Sequence, residues 1–447
     1  MGCVRTRSKL RHAIIFAGIA VALLVGVQSA GALPLYARQT GQQCAACHNG
    51  FPELTPYGRL FKLNAYSFLG GQSDLPPLSI MLVGSYTHTE AGQSGGAAPH
   101  YGPNNNFAAL QSGSLFYGGV ISSDLGIGAF GQVTYDHVNR NFTWDNTDIR
   151  WAKSTQLGGE TVFGVSLNNN PTVTDLWNST PAWGYPFLTS ELVPTQSTTT
   201  MIEGAFAQQV VGLNAYTMWN RLVYAEIGAY GTLDRRTDSA LGVDPNGDQF
   251  RGFAPYWRLA LQPQWGRHSL EIGTFGMAAE IDPGRVTGFG TDHKTDVGFD
   301  VQYQFLTDLH SVSAQASWII ENQNLTASQT LGNSANSNVH LRSLRIKTSY
   351  YYDQTYGGTV AFFRTDGSGD ALLYPNTGSP NTTGWILEAD YIPFNHGGPD
   401  VWPWLNMKIG LQYTIYTKFN GATNNYDGNG RNASDNNTLF LFDWVAF

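Results

Sequence analysis

The sequence predicts an all-β fold, a transmembrane β-barrel of about 16 antiparallel strands. Charged residues make up only 13% of the chain, about half the usual share for a soluble domain. Aromatic residues also make up 13%, and glycine is abundant. Few charges and many aromatic residues suit a wall that faces lipid, with aromatic girdles at its two interfaces. A secreted β-sandwich or repeat protein has a similar composition, so composition alone leaves that class open.

Alternating side chains favour the barrel over the soluble classes. Along residues 404–415, apolar side chains occupy one face, and polar side chains such as Lys408 and Gln412 occupy the other. The same split recurs along 257–262, 299–305 and 385–391, where Glu388 and Asp390 are expected to face inward. One face suits lipid and the other suits water, which is typical of a membrane barrel.

Long and short connections also alternate along the chain. The predicted strands are 78–88, 107–122, 126–138, 146–155, 160–168, 200–219, 222–232, 250–264, 268–280, 295–306, 310–321, 339–352, 358–365, 383–393, 403–418 and 437–447. Residues 200–219 are taken as one long strand because this keeps every long loop on one side. The long loops are then expected outside the cell, and the short turns and both termini in the periplasm. Outer-membrane lipid is the expected surroundings of the barrel 78–447.

The N-terminal residues have the pattern of a secretory signal peptide. Basic residues precede an apolar stretch from Ala13 to Val27, and Ala30-Gly31-Ala32 supplies small residues for cleavage. Residues 1–32 are therefore expected to be removed, and no later stretch approaches the ~18 apolar residues of a spanning helix. The formal net charge is −8, and removal of the signal peptide, which contains basic residues, would make the net charge of the mature chain more negative. Nucleic acid is therefore not an expected partner.

Cys44-Ala45-Ala46-Cys47-His48 carries the clearest chemistry. The C-x-x-C-H spacing is that of a c-type haem, in which the two thiols form thioether links and the histidine ligates the iron. A zinc half-site and a dithiol redox pair are the other interpretations. A structural zinc site needs four ligands, and the remaining cysteine, Cys3, lies within the signal. The sequence therefore predicts one covalently attached haem c, with His48 as its proximal ligand.

The haem segment, residues 33–73, is predicted to fill part of the barrel as a plug. A segment of ~40 residues rarely buries enough surface to be stable alone, so it should lean on the barrel wall. Neither methionine nor histidine occurs between Asn49 and Ile80, so a usual second axial ligand must come from the barrel. Met81 and Met218 are the candidates for this distal ligand, because both alternate with inward residues. Arg38, Arg59 and Lys62 are candidates for pairing with the haem propionates.

Several motifs resemble one known family. These are residues 35–41 before the haem motif, Phe51-Pro52 and residues 57–62 after it, and residues 166–187. Across the mature chain they resemble the fused cytochrome-porin proteins, which include outer-membrane cytochromes that oxidise Fe(II). The resemblance implies a monohaem barrel that accepts electrons from an extracellular donor such as Fe(II), and so an Fe(II) oxidase activity. It also implies a periplasmic electron carrier, such as a soluble cytochrome, as the partner.

Two further functions stay open at this point. One is a diffusion porin whose haem is a structural plug or redox sensor, and the other is electron export in the opposite direction. If Fe(II) is the donor, acidic side chains in the long loops would gather cations, since acidic clefts raise the local counter-ion concentration. The candidates are Glu90, Asp175, Glu191, Asp244, Asp248, Asp282, Asp292 and Asp427. Ordinary solvated loop charges are the alternative interpretation of this set.

Overall fold

The protein is described from a computed structural model, which covers residues 34–71, 77–204, 206–398 and 403–447. The predicted signal peptide, residues 1–32, lies outside the described residues. Within them, sixteen strands form one closed antiparallel sheet, as predicted. They are β1 (Leu78–Thr89), β2 (Asn105–Ser122), β3 (Ile127–Asp136), β4 (Asn141–Gln156), β5 (Glu160–Asn168), β6 (Val210–Trp219), β7 (Val223–Thr232), β8 (Ala254–Leu261), β9 (His268–Asp282), β10 (Asp292–Leu306), β11 (His310–Asn324), β12 (Asn338–Tyr352), β13 (Tyr356–Gly367), β14 (Thr382–Tyr391), β15 (Asn406–Lys418) and β16 (Thr438–Ala446).

The barrel closes between its first and last strands. β1 pairs with β16 from Met81↔Ala446 to Thr89↔Thr438, and every other strand pairs with its neighbour in sequence. Two short pieces, Gln249–Phe250 and Gln264–Trp265, extend the β8 edge and pair with β9. Closure satisfies the backbone hydrogen bonds of every strand, which a lipid environment requires.

Side chains alternate between the two faces of the barrel, as predicted. Leu259, Ile272 and Trp385 are exposed on the outer face, whereas Arg258 and Glu271 on the same strands are buried inside. Glu388 and Asp390 also face inward, where both pair with Lys408. The apolar outer belt is suited to lipid, and the polar groups of the lumen partner one another.

The prediction for residues 200–219 is wrong in its first half. β6 begins only at Val210, and Met201–Glu203 forms a single 3₁₀ turn before it. The backbone N–H groups of Met201 and Ile202 donate to the carboxylates of Glu321 and Asp296, which point inward from β11 and β10. These residues therefore extend the preceding loop, and the described part of residues 169–209 is called here the inner loop.

The inner loop lies against the inward face of the wall. Asp175 is 1% exposed and lies 3.4 Å from the guanidinium of Arg258, and Trp177 donates from its indole to Gln262. Its carbonyl oxygen accepts from Gln302 and Gln315. The longest loop of the chain is thus folded into the lumen by buried polar contacts with strands β8, β10 and β11.

The N-terminal segment, residues 34–71, contains three short helices: α1 (Pro34–Thr40), α2 (Cys44–Cys47) and α3 (Pro56–Leu63). Pro56 opens α3 at a position where its missing N–H costs nothing, and the Thr55 hydroxyl accepts from Gly58 N to cap the helix. The same hydroxyl donates to Ala46 O at 2.5 Å, which ties α3 to α2. The helix that carries the C-x-x-C-H motif and the helix that follows it are therefore held together by one threonine.

Buried polar contacts attach this segment to the barrel at the end where the short turns lie. Arg59 is 1% exposed and donates to Gln302, Gln304 and Ser269 at 2.9–3.0 Å. Asn49 accepts from Ser311, near the start of β11. The segment leans on the barrel wall, as its small size predicted. No helix among the described residues is long and apolar enough to cross a membrane.

The last strand, β16, turns its aromatic residues inward. Phe440, Phe442 and Trp444 are buried, whereas Leu439, Leu441 and Val445 alternate with them on the outer face. This aromatic series belongs to the strand that closes the barrel against β1. In the structure it packs in one cluster with Cys44 and Phe61 of the N-terminal segment and Met81 of β1.

Candidate functional site

Cys44, Cys47 and His48 line a single cavity between the N-terminal segment and the barrel wall. The α2 helix is held there by a hydrogen bond from Ala45 N to Asn395 O at 3.0 Å. Gly58 lets α3 approach closely, because a Cβ at this position would collide with the carbonyl oxygen of Cys47. The two thiols are not joined in a disulfide. Both are therefore available to the same bound group.

His48 is oriented by its neighbours. Its Nδ1 lies 3.2 Å from the carbonyl oxygen of Pro52, which can only accept, so Nδ1 carries the proton. Burial lowers the pKa of His48 to about 4, which keeps the ring neutral. Phe51 packs against the imidazole with ring centroids 4.5 Å apart. A metal-binding histidine commonly donates its second N–H in this way, which would leave Nε2 as the ligand atom.

The two thiols are buried and protonated. Burial raises the pKa of Cys44 to about 12, and burial together with Cys44 raises that of Cys47 to about 12. Among the described residues, no group of three or more Cys, His, Asp or Glu side chains has the geometry of a metal site. A complete set of zinc ligands is therefore not present in this part of the chain.

The rest of the cavity wall is mainly aromatic. Tyr36, Phe61 and Tyr66 come from the N-terminal segment, and the remaining rings come from the barrel and the inner loop: Phe116, Phe130, Trp183, Phe187 and Trp444. The indole nitrogen of Trp444 is buried and has no acceptor among the described residues. An apolar space with an unpartnered donor fits a haem, whose ring is apolar and whose propionates accept hydrogen bonds.

The structure separates the two methionine candidates for the distal position. Met81 lines the same cavity as His48 and is 8% exposed. Met218 packs instead with Val162, Leu176 and Trp177, and it does not line the cavity. Met81 lies on β1 beside the start of the barrel, so the wall and the N-terminal segment together surround the cavity.

The three basic candidates for propionate binding are also placed differently from one another. Lys62 lines the cavity, with its ammonium donating to Val173 O and Asp175 O at 2.6 and 2.8 Å. Burial, and next to it Arg150, lowers the pKa of Lys62 to about 7. Arg59 points away to the wall, and Arg38 donates to Leu78 O and lies over the Trp404 ring. Of the three, only Lys62 faces the cavity.

The acidic residues proposed to gather cations do not converge. Asp175 was expected in an outer loop, but it is buried in the lumen beside Arg258. Asp282 pairs with Arg251, and Asp292 accepts from Ser328, while Asp427 accepts from backbone N–H groups of its own turn. Each of these four carboxylates already has an ion-pair or hydrogen-bond partner within the protein.

The aromatic wall of the cavity was not predicted from the sequence. The pattern was present in β16, where Phe440, Phe442 and Trp444 lie on one face of the strand, and Leu439 and Leu441 lie on the other. A lipid-facing strand would place either set outward. Only contact with the N-terminal segment determines that the aromatic set is the inner one.

Comparison with known proteins gives barrels of low similarity. No protein-family model and no curated protein matches the chain. Among solved structures, it is similar to OmpT, an outer-membrane protein of Vibrio cholerae, at 8% identity and a TM-score of 0.42, over 83% of this chain and 96% of that one. The outer-membrane channel DcaP of Acinetobacter baumannii is 12% identical with a TM-score of 0.43, over 83% of this chain and 96% of that one. OprB of Pseudomonas putida is 12% identical with a TM-score of 0.44, over 83% of this chain and 94% of that one. We take no functional argument from these three.

The closed ladder and the apolar outer belt decide the location. A sheet without free edges satisfies its own backbone, and its exposed aliphatic and aromatic side chains require lipid. The chain is a bacterial outer-membrane β-barrel. Its fold is porin-like, and its lumen carries the cavity described above.

Proposed function

We propose that this barrel carries electrons across the outer membrane, from an extracellular donor such as Fe(II) to a periplasmic carrier, through a c-type haem. The single observation that carries the proposal is that Cys44, Cys47 and His48 line one aromatic cavity inside the barrel, with Met81 on its wall. The thiols of Cys44 and Cys47 would hold the haem covalently, and His48 Nε2 would ligate its iron. A haem held there supplies a one-electron redox centre.

The residues around the cavity have separate tasks in this proposal. Phe51 and the carbonyl of Pro52 fix the plane and tautomer of His48. Met81, on the cavity wall, would supply a thioether ligand, and neutral ligands of this kind raise a haem potential. The aromatic wall excludes water and keeps the site apolar. Gln42 and Gln43 are exposed at the rim of the cavity, at the short-turn end, where a periplasmic carrier has access.

The diffusion porin remains the competing function, since the fold is porin-like. It requires an open path through the lumen. Here the N-terminal segment and the inner loop occupy the interior, and inward residues of β4, β8 and β10 such as Arg150, Arg258 and Asp300 are at most 4% exposed. A lumen occupied by these residues is unfavourable for free diffusion of solutes.

Proteoliposomes separate the two functions. An oxidised soluble cytochrome is enclosed inside, Fe(II) is added outside, and reduction of the cytochrome is followed together with leakage of a small sugar. We expect reduction without leakage, and we expect His48→Ala to abolish it while His310→Ala, an exposed histidine of the short-turn end, leaves it unchanged. Leakage without reduction would instead establish a porin.

The direction of flow is tested with the same vesicles. A reduced cytochrome is enclosed, and a ferric acceptor is added outside. Faster oxidation of the enclosed carrier than reduction in the first experiment, at matched driving force, would favour electron export.

A further inference from the structure

A second cavity of about 280 Å³ lies in the lumen beside the first. Its walls are the inner loop on one side and the inward face of β11–β16 on the other. Ligand pockets commonly measure about 300–1,000 Å³, so this one suits a small molecule. It extends toward the long-loop end, where Tyr416 and Thr438 line it.

The two cavities are separated by one stretch of the inner loop. Asn178 lines both. Further along the loop, Trp183 and Phe187 line the cavity of His48, whereas Tyr185 between them lines the second cavity. A molecule in the second cavity would therefore be separated from the candidate haem site by this single stretch of the inner loop.

Two cations of β12 reach the second cavity. Arg345 and Lys347 are two residues apart on the inward face, and each has one carboxylate partner at 2.6 Å, Glu203 for Arg345 and Glu53 for Lys347. Arg345 donates to Glu203 through Nε, and its two terminal amino groups have no acceptor in the part of the chain that the structure describes. Lys347 carries three donors and uses one of them on Glu53.

The carboxylate of the cavity, by contrast, is fully engaged. Glu203 accepts from Arg345, Ser343 and Thr200. Unused donors thus outnumber unused acceptors among the charged groups that line the space. This arrangement suits an anion with several oxygen acceptors, because charge-assisted bonds from Arg and Lys are the strongest available there.

The same groups do not suit a bare metal ion. Fe(II) prefers carboxylate or imidazole ligands. Glu203 is the carboxylate among the cavity-lining residues, and the described parts of the chain hold no cluster of three or more Cys, His, Asp or Glu side chains placed for a metal. Two neighbouring cations would also repel a free divalent ion.

We propose that the second cavity binds a small polycarboxylate anion, held by the free donors of Arg345 and Lys347. Such an anion reaches the cavity either as the free acid or as its chelate with a divalent metal. The binding itself stands on the cavity, and its use as the entry of an Fe(II) chelate rests on the proposed function. In that use, the donor is an anionic carboxylate complex of iron rather than the aqueous ion.

Calorimetric titration of the full-length protein in detergent tests the binding without any electron transfer. The probes are citrate, its Zn(II) complex, Zn(II) alone and sucrose. We expect citrate to bind, and Zn(II) alone and sucrose to show no binding at this site. Equal binding of sucrose, or no binding of citrate, would overturn the proposal.

Two variants locate the binding in the cavity. The double variant Arg345→Gln/Glu203→Gln removes the cation without leaving its carboxylate unpaired. It should weaken the affinity for citrate by at least about tenfold. Ser317→Phe fills the cavity from β11, where the serine hydroxyl has no partner among the described residues, and it should abolish binding. Arg364→Gln is the matched control, since this arginine lies on neighbouring β13 and its side chain is 53% exposed.

The outcomes are distinguishable from failure of the proposed function. Unchanged citrate affinity in both folded variants would overturn the cavity assignment, whatever the haem does. If citrate and its Zn(II) complex bind equally, the chelate is a source of the anion. If only free citrate binds, the anion site stands and delivery of chelated iron does not. Heat-modified migration on a gel verifies that each variant forms a barrel.

Discussion

Arg59→Met should loosen the N-terminal segment while leaving the barrel closed. Arg59 is 1% exposed and donates to Gln302, Gln304, Ser269 and Leu54 O at 2.9–3.0 Å. Methionine has similar length but no donor. The barrel strands keep all their backbone hydrogen bonds, because none of them involves this side chain.

The magnitude follows from the acceptors that lose their donor. The side-chain amide oxygens of Gln302 and Gln304 lose their donor, whereas Leu54 O still accepts from Gln304, and a buried acceptor without a partner costs about 1–3 kcal/mol. We take the lower limit, about 2 kcal/mol in total, because the amides can rotate and the buried charge is also removed. At about 1.4 kcal/mol per factor of ten, opening of the segment should become roughly thirtyfold more frequent.

Limited proteolysis measures this opening. When reclosing is faster than cleavage, the cleavage rate follows the population of the open form, so cleavage within residues 34–71 should be about thirtyfold faster in Arg59→Met. Arg221→Met is the matched control, because Arg221 pairs with Glu160 at the surface with 55% exposure and should change the rate little. Equal cleavage of Arg59→Met and wild type would refute Arg59 as an anchor.

Further predictions concern the cavity and the inner loop. Met81→Ala should lower the midpoint potential of the haem-loaded protein by on the order of 100 mV, measured by redox titration, whereas Met218→Ala should not. Trp444→Phe should leave the melting temperature of the haem-free chain nearly unchanged, but should lower the potential of the loaded protein if its indole meets a propionate; an unchanged potential would contradict that contact. Burial raises the pKa of Glu203, but Arg345 and two hydroxyl donors more than offset this and lower it overall. Because the pKa of Glu203 is lowered in the folded protein, its charge stabilises the inner loop at neutral pH, and this stabilisation is lost as the pH falls below about 4.5. The protection of amides 201–203 against hydrogen exchange, relative to their intrinsic exchange rates, should therefore fall only in acid.

The predicted strands show where sequence reasoning succeeds and where it fails. Strict alternation identified the inward carboxylates Glu388 and Asp390, because a strand has two faces and lipid tolerates only one of them. The same reasoning failed at residues 200–209, which contain enough apolar residues to resemble a strand. Met201 and Ile202 are buried because they pack inside the lumen, with their N–H groups on two wall carboxylates. Alternation cannot distinguish a loop buried within a barrel from the barrel wall.

The candidate site shows the same division. The spacing of Cys44, Cys47 and His48 was enough to predict a haem site, since covalent attachment depends on local sequence alone. The sequence could not decide between Met81 and Met218 as the distal ligand, because both side chains alternate with inward residues and both are buried. Their difference depends on which strand lies beside the N-terminal segment, and that is a property of the closed barrel.

The sequence by itself determined the class of fold and the number of strands, and it carries the C-x-x-C-H motif on which the proposed haem site rests. Each of these depends on neighbours in the chain: period-two alternation, loop length, or the spacing of two cysteines. The tertiary structure alone decided that β16 meets β1, which brings Trp444 and Met81 to the cavity of His48. It also decided that the inner loop fills the lumen and leaves a second cavity beside Arg345 and Lys347. Such contacts join residues hundreds of positions apart, and closure of the sheet, not local sequence, sets them.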